Sequence, residues 1–144
     1  MPPSDLEVRV YRVSDEEAVI RLWQDCGLVV PWNDPHKDIQ RKLKVQADLF
    51  LVGLVENRLV AAVMAGYDGH RGWINYVAVA PDLRRRGIGH RMVEQVESRL
   101  RALGCPKINL QVRTSNVDVV SFYEAIGYAI DDVTGMGKRL EADQ

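Results

Sequence analysis

Apolar and polar residues follow two different rhythms along the chain, and the switches between them predict its elements. Glu7 to Tyr11 alternates with a period of two, as a first strand does. From Ser14 the period lengthens: Val19, Leu22, Trp23 and Cys26 stand at i, i+3, i+4 and i+7, one apolar face of a helix. Ser14 with Glu17 reads as a capping box opening this helix, and Gly27 as its stop. After a loop from Leu28, Asp34-Pro35 predicts an N-cap and a first helical position for a short helix to about Val45, with Ile39 and Leu43 as its stripe.

Leu49 to Val55 and Leu59 to Gly66 are apolar nearly throughout, as central strands covered on both faces are. The tight turn Glu56-Asn57-Arg58 joins them. A polar loop, Tyr67 to Gly72, leads to a strand from Trp73 to Val79, stopped by Pro81. From Gly87 to Leu103 the helical period returns with Met92, Val93, Val96, Leu100 and Leu103 on one face, and Gly104 ends it. Lys107 to Val112 alternates as a strand, and Asp118 to Ile126 is a helix carrying Val119, Phe122, Tyr123 and Ile126 on one side. Tyr128 to Ile130 and Val133 to Lys138 read as terminal strands. The strand–helix–strand from Trp73 to Val112 makes a parallel, right-handed pair. The fold class is therefore mixed α/β: a mostly antiparallel sheet with one parallel βαβ pair, flanked by helices. No repeat or linker divides it, so 1–144 reads as a single domain.

Composition narrows the function more than the fold. The 144 residues, 47% apolar and 27% charged, are those of an ordinary globular domain able to bury a core. A net charge of −1 argues against general nucleic-acid binding, which needs an excess of Lys and Arg. The start, Met1-Pro2-Pro3-Ser4-Asp5, shows no leader pattern, and no apolar stretch approaches the roughly 18 residues of a membrane helix, so no membrane partner is expected. Cys26 and Cys105 have no CxxC spacing or His partners and read as idle thiols of a reducing cytoplasm rather than as metal ligands.

One local cluster of charge stands out. Between the strand ending at Val79 and the next helix lies Ala80-Pro81-Asp82-Leu83-Arg84-Arg85-Arg86-Gly87-Ile88-Gly89. Glycines admit backbone N–H groups close to an anion, and the helix start adds unpaired donors and the positive end of its dipole. Arginines add charge-assisted contacts to a further phosphate. Neither a GxxxxGK[ST] loop nor a GxGxxG dinucleotide turn is present. A solvated basic loop and an isolated RNA-contact patch are the competing readings of the same residues.

The spacing Arg84-x-x-Gly87-x-Gly89 resembles the R/Q-x-x-G-x-G/A coenzyme motif of the GNAT superfamily of N-acetyltransferases. Downstream, Asn116 to Tyr128 resembles the family's N-x-x-A-x-x-F-Y-E-x-x-G-F/Y, in the right order and at a fitting separation. Pro31 to Pro35 and Gly66 to Gly72 further resemble YpeA-like bacterial members. The resemblance implies acetyl-CoA as acyl donor, no metal, and an amine acceptor on a small molecule or peptide, attacked directly in a ternary complex. No cysteine stands in either motif to carry a covalent acetyl-enzyme. It implies that pantetheine pairs with Val77, Ala78 and Val79, the pyrophosphate sits on the N–H groups of Arg85, Arg86, Gly87, Ile88, Gly89 and His90, and Asn116 fixes the pantetheine arm. Tyr123 is then the proton donor to the leaving thiolate.

The general base is where the sequence departs from the pattern. Many relatives place a glutamate on one of the central strands, but Trp73 to Val77 and Asn109 to Val112 hold no carboxylate, and Gln111 stands where some relatives carry Glu. Asp68 and His70 are the loop substitutes, with water-assisted deprotonation beside them. Asp68, Asp131 and Asp132 would attract a cation if they lined the cleft. The competing function is a non-catalytic acyl-CoA-binding regulatory module. Relatives often dimerise, which leaves a homodimer open.

Overall fold

The computed structural model describes residues 3–143. Its elements run β1 (Glu7–Val10), α1 (Glu16–Asp25), α2 (Pro35–Leu43), β2 (Phe50–Val55), β3 (Arg58–Tyr67), β4 (Gly72–Val79), α3 (Ile88–Ala102), β5 (Ile108–Asn109) and α4 (Val117–Ala125). Met1 and Pro2, part of the segment read above for a leader, lie outside the described residues. Among those residues the strands form one sheet in the order β1-β2-β3-β4-β5. Every pair is antiparallel except β4 with β5, which α3 connects as a parallel crossover. This is the expected mixed α/β fold.

The two helical layers can be assigned from residue parity. Phe50 stacks near Trp23 of α1 at 6.4 Å between ring centroids. At Gly53, an odd number of positions along β2, a Cβ would lie 3.0 Å from the Met92 sulfur of α3. Alternate strand residues point to opposite faces, so α1 and α3 cover opposite sides of the sheet. Phe50, Leu51, Val52, Ala61, Ala62 and Val63 are fully enclosed between them. The β2–β3 hairpin turns through Glu56 and Asn57, both left-handed at φ 50° and 66°, a turn whose twist matches that of the strands.

Three local expectations are corrected. Ser14 does not cap α1: Val13–Asp15 forms a short 3-10 turn ahead of the helix, and the Asp15 carboxylate reaches back to the start of that turn. It accepts from the Arg12 N–H at 2.8 Å and from the Arg9 guanidinium at 2.8 and 3.0 Å, charge-assisted bonds that a hydroxyl cannot match. The terminal strands read at Tyr128 to Ile130 and Val133 to Lys138 do not form among the described residues. Ile130, Val133 and Met136 are 76–91% exposed, so their alternation buries no face that would reward pairing. The strand read from Lys107 to Val112 is also shorter, pairing only over Ile108–Asn109. Its alternation was sound, since Ile108, Leu110 and Val112 still pack on the core. What it did not report is where the backbone leaves the sheet.

Candidate active site

That departure opens the site. β4 and β5 are paired only at Gly72 with Ile108 and Trp73 with Asn109, after which the strands part. On its other side β4 stays paired with β3 to the end, and the Ala80 N–H donates to the Val60 carbonyl at 2.7 Å. In an antiparallel ladder, bonding sides alternate residue by residue. Ala78 therefore faces β3, and Val79 turns its N–H and C=O into the gap. The Cys26 thiol sits 3.3 Å from that carbonyl. Midway along β4 the register with β3 shifts between Ala62 and Met64. Tyr76 sits in this bulge at φ 55°, its ring stacked on Trp23 at 4.1 Å and its hydroxyl donating to Asp38 of α2 at 2.7 Å. Burial and the Asp38 carboxylate both push the Tyr76 phenol well above its ordinary range. Nothing in the sequence marked this bulge, because a bulky residue rather than glycine takes the left-handed turn.

At the end of β4 the chain enters the arginine turn. Arg85 and Gly87 are left-handed, at φ 65° and 79°, and Gly87 is the N-cap of α3. A β-carbon at Gly87 would strain this turn; glycine takes it freely. Among the described residues no group accepts from the N–H groups of residues 84 to 90, while Arg91 already bonds back to the Gly87 carbonyl. The turn therefore presents free donors at the positive end of a 15-residue helix. Arg84, Arg85 and Arg86 are exposed. Their nearest acidic neighbour, Asp82, is taken by Arg58 at 2.9 Å. Gly89 also has a packing role: a Cβ there would lie 3.2 Å from the Phe122 ring, so glycine lets α4 approach α3.

Through that contact Tyr123 is brought to the same end of the sheet. It is 8% exposed, edge-on to Phe122 at 5.0 Å and to Tyr128 at 5.5 Å, and its hydroxyl has no partner among the described residues. Burial raises its pKa to about 12, so the phenol keeps its proton at neutral pH. Asn116 caps α4, its side chain accepting from the Val119 N–H at 3.4 Å.

The loop residues sit elsewhere. Asp68 and His70 precede β4, at the end opposite the arginine turn, and eight strand residues span about 23 Å. The Asp68 carboxylate accepts from the His70 and Arg71 N–H groups at 2.8 and 2.7 Å, which holds it below its ordinary pKa. Asp68 borders a smaller pocket of about 250 Å³ beside Lys42, Gln46 and Asn75, and Asp131 is paired with Lys107 at 2.8 Å. The large groove on the α2 side, about 660 Å³, is instead mostly basic, lined by Trp32, Arg41, Lys138 and Arg139 with Glu141. Arg113, just past β5, lies 5.8 Å over the Trp32 ring, which sets this groove beside the β4–β5 gap. No local pattern marks Arg41 or the chain beyond Gly135 as lining this groove.

The parallel pair of the sheet thus splays beside a basic helix start. The model of the Acetyltransferase (GNAT) family matches residues 16–128, and the chain belongs to that family. An acetyltransferase of Pectobacterium atrosepticum is 49% identical over 139 residues, covering 96% of this chain and 99% of its own. One of Sodalis glossinidius is 51% identical over 140 residues with the same coverage. Among solved structures, Ard1 from Thermoplasma volcanium superposes with a TM-score of 0.79 at 23% identity, over 88% of this chain and 84% of its own. The PaiA N-acetyltransferase of Thermoplasma acidophilum, solved in complex with coenzyme A, gives 0.77 at 19%, over 90% and 93%. The protein is an acetyltransferase. The two structural likenesses show the fold alone.

Proposed function

We propose that the protein transfers the acetyl group of acetyl-CoA to a primary amine by direct attack in a ternary complex. The observation that carries this reading is the two-residue β4–β5 pairing, which leaves the Val79 N–H open to the gap, beside the unsatisfied N–H groups of the α3 start, while the Cys26 thiol reaches the Val79 carbonyl. These groups fit the donor: a strand edge suits an amide-bearing pantetheine arm, and a dipolar helix start with arginines suits a pyrophosphate. Acetyl-CoA supplies the thioester, whose carbonyl carbon gains the C–N bond as the C–S bond breaks and the thiolate leaves. Tyr123, a protonated phenol at neutral pH, donates its proton to that sulfur. The Gly87 and Gly89 positions hold the turn and α4 in the places this requires.

The amine loses its own proton. Two N–H groups stabilise the Asp68 anion, which weakens it as a base. We assign this proton to water in the open groove, with His70 the remaining side-chain acceptor. Cys26 and Cys105, both free thiols, suit a reducing cytoplasm. Thiol release from acetyl-CoA, measured over a panel of primary amines, tests the reading. Turnover with an amine, reduced about a hundredfold in kcat by Tyr123→Phe, supports it; full turnover in that variant removes Tyr123 from the chemistry. An unchanged pH–rate profile in His70→Ala leaves water as the acceptor.

A further inference from the structure

The basic groove beside the β4–β5 gap contains a carboxylate, and that carboxylate is the chain's own. Asp143 folds back onto α2, where Arg41 grips it with both guanidinium nitrogens at 3.1 and 2.7 Å. The Asp34 N–H donates to the same carboxylate at 3.0 Å. Arg139 approaches it at 3.8 Å, and Arg139 also bonds the Asn33 side chain. The Asp143 side chain is out of contact with solvent there. A planar guanidinium fork and a backbone N–H converging on one carboxylate are the parts of a carboxylate-recognition site.

Its position gives it meaning. Arg41 lies one helical turn from Asp38, bonds it at 3.2 Å, and Asp38 in turn holds the Tyr76 hydroxyl at the β4 bulge. The site is thus linked by two short contacts to the strand whose gap takes the donor, and Trp32 closes the groove towards Arg113 on the β5 side. An acceptor seated in the groove would place one end at Arg41 and the other towards the gap.

Resting on the acetyl-transfer reading above, we infer that Arg41 and the Asp34 N–H bind the carboxylate of the acceptor, which is an amine bearing a free carboxylate, and that Asp143 occupies this site in the substrate-free enzyme. Acceptor binding then requires the last residues of the described chain to peel away. Tail and acceptor carboxylates are both ionised at neutral pH, so they compete for Arg41 with the same charge.

The test is calorimetric binding of N-acetylalanine, which carries the free carboxylate of a product, and of N-acetylalaninamide, which lacks it. Both are titrated into enzyme whose binding of coenzyme A has first been measured. In the full chain the acid should bind about tenfold tighter than the amide, the scale of one charged bidentate contact. Asp143→Asn should tighten the acid several-fold and leave the amide unchanged. Arg41→Gln, with its Tm checked, should erase the difference between acid and amide. Equal binding of acid and amide to Asp143→Asn, absent binding of both to it, or an Arg41→Gln that still prefers the acid overturns the inference. Any of these with coenzyme A bound leaves acetyl transfer standing. Failure to bind coenzyme A strikes the reading beneath it.

Discussion

The donor side and the acceptor side of the site are built from different materials. The donor side is backbone: the free edge of β4 and the N–H groups of residues 84 to 90, fixed by buried Ile88, Met92 and Val93 behind them. The acceptor side is long, exposed side chains: Arg41, Arg139 and Glu141 are 42–69% open to solvent and joined across about a hundred positions of sequence. Backbone held by a core is rigid, while exposed ion pairs contribute little to stability and exchange readily. One half of the site is thus set before any ligand arrives, and the other half is free to rearrange around one.

The sharpest break in this comparison is expected at Tyr123, the one donor-side group assigned chemistry. Tyr123→Phe should lower kcat about a hundredfold with the KM for acetyl-CoA little changed, in a thiol-release assay. The same substitution has a pH signature. Burial holds the phenol at about 12 in the fold against about 10 unfolded, so the folded state retains a proton that the unfolded chain loses. Its contribution to stability is full below about pH 10 and declines as pH rises towards 12. Denaturant midpoints between pH 9 and 11 should fall in the parent and fall less in Tyr123→Phe.

Next in size is Gly89→Val. A Cβ 3.2 Å from the Phe122 ring, with two methyls beyond it, forces that ring to give way, at an expected cost of about 1–3 kcal/mol in urea unfolding, and coenzyme affinity should drop with it. Replacing Arg84, Arg85 and Arg86 together by Ala should leave stability within about 0.5 kcal/mol, since no carboxylate pairs with them among the described residues. It should raise the KM for acetyl-CoA about tenfold at low salt and by less at high salt. The smallest effect belongs to the acceptor side: Glu141→Ala should change the urea midpoint by less than about 0.5 kcal/mol. A large loss there would mean that the tail is part of the folded core, erasing the contrast between the two halves.

The same contrast explains what the sequence disclosed. The helix α3, the β2–β3 hairpin and the Asp34 cap were readable because each rests on local chemistry: a 3.6-residue stripe, two left-handed turn residues, a side chain reaching its own helix start. The arginine turn was readable for the same reason, as glycines and basic residues next to one another at a strand end. The β4 bulge was not, since Tyr76 takes a positive φ under tertiary packing against Trp23 rather than by its own preference. The packing of Gly89 against Phe122, thirty-three positions away, was not readable either. Arg41 was one of several basic residues on a polar helix until the fold laid Asp143 against it. Contacts that join distant positions through single charged side chains leave no periodicity behind.

The measurement that bears most directly on the donor site is a titration of the isotope-labelled protein with coenzyme A, following backbone amide resonances. The account predicts that Val79, Gly87, Ile88, Gly89 and His90 shift most and saturate together, while Asp68 and His70 at the far end of β4 stay in place. Saturable coenzyme A binding that leaves residues 84 to 90 unmoved would contradict it.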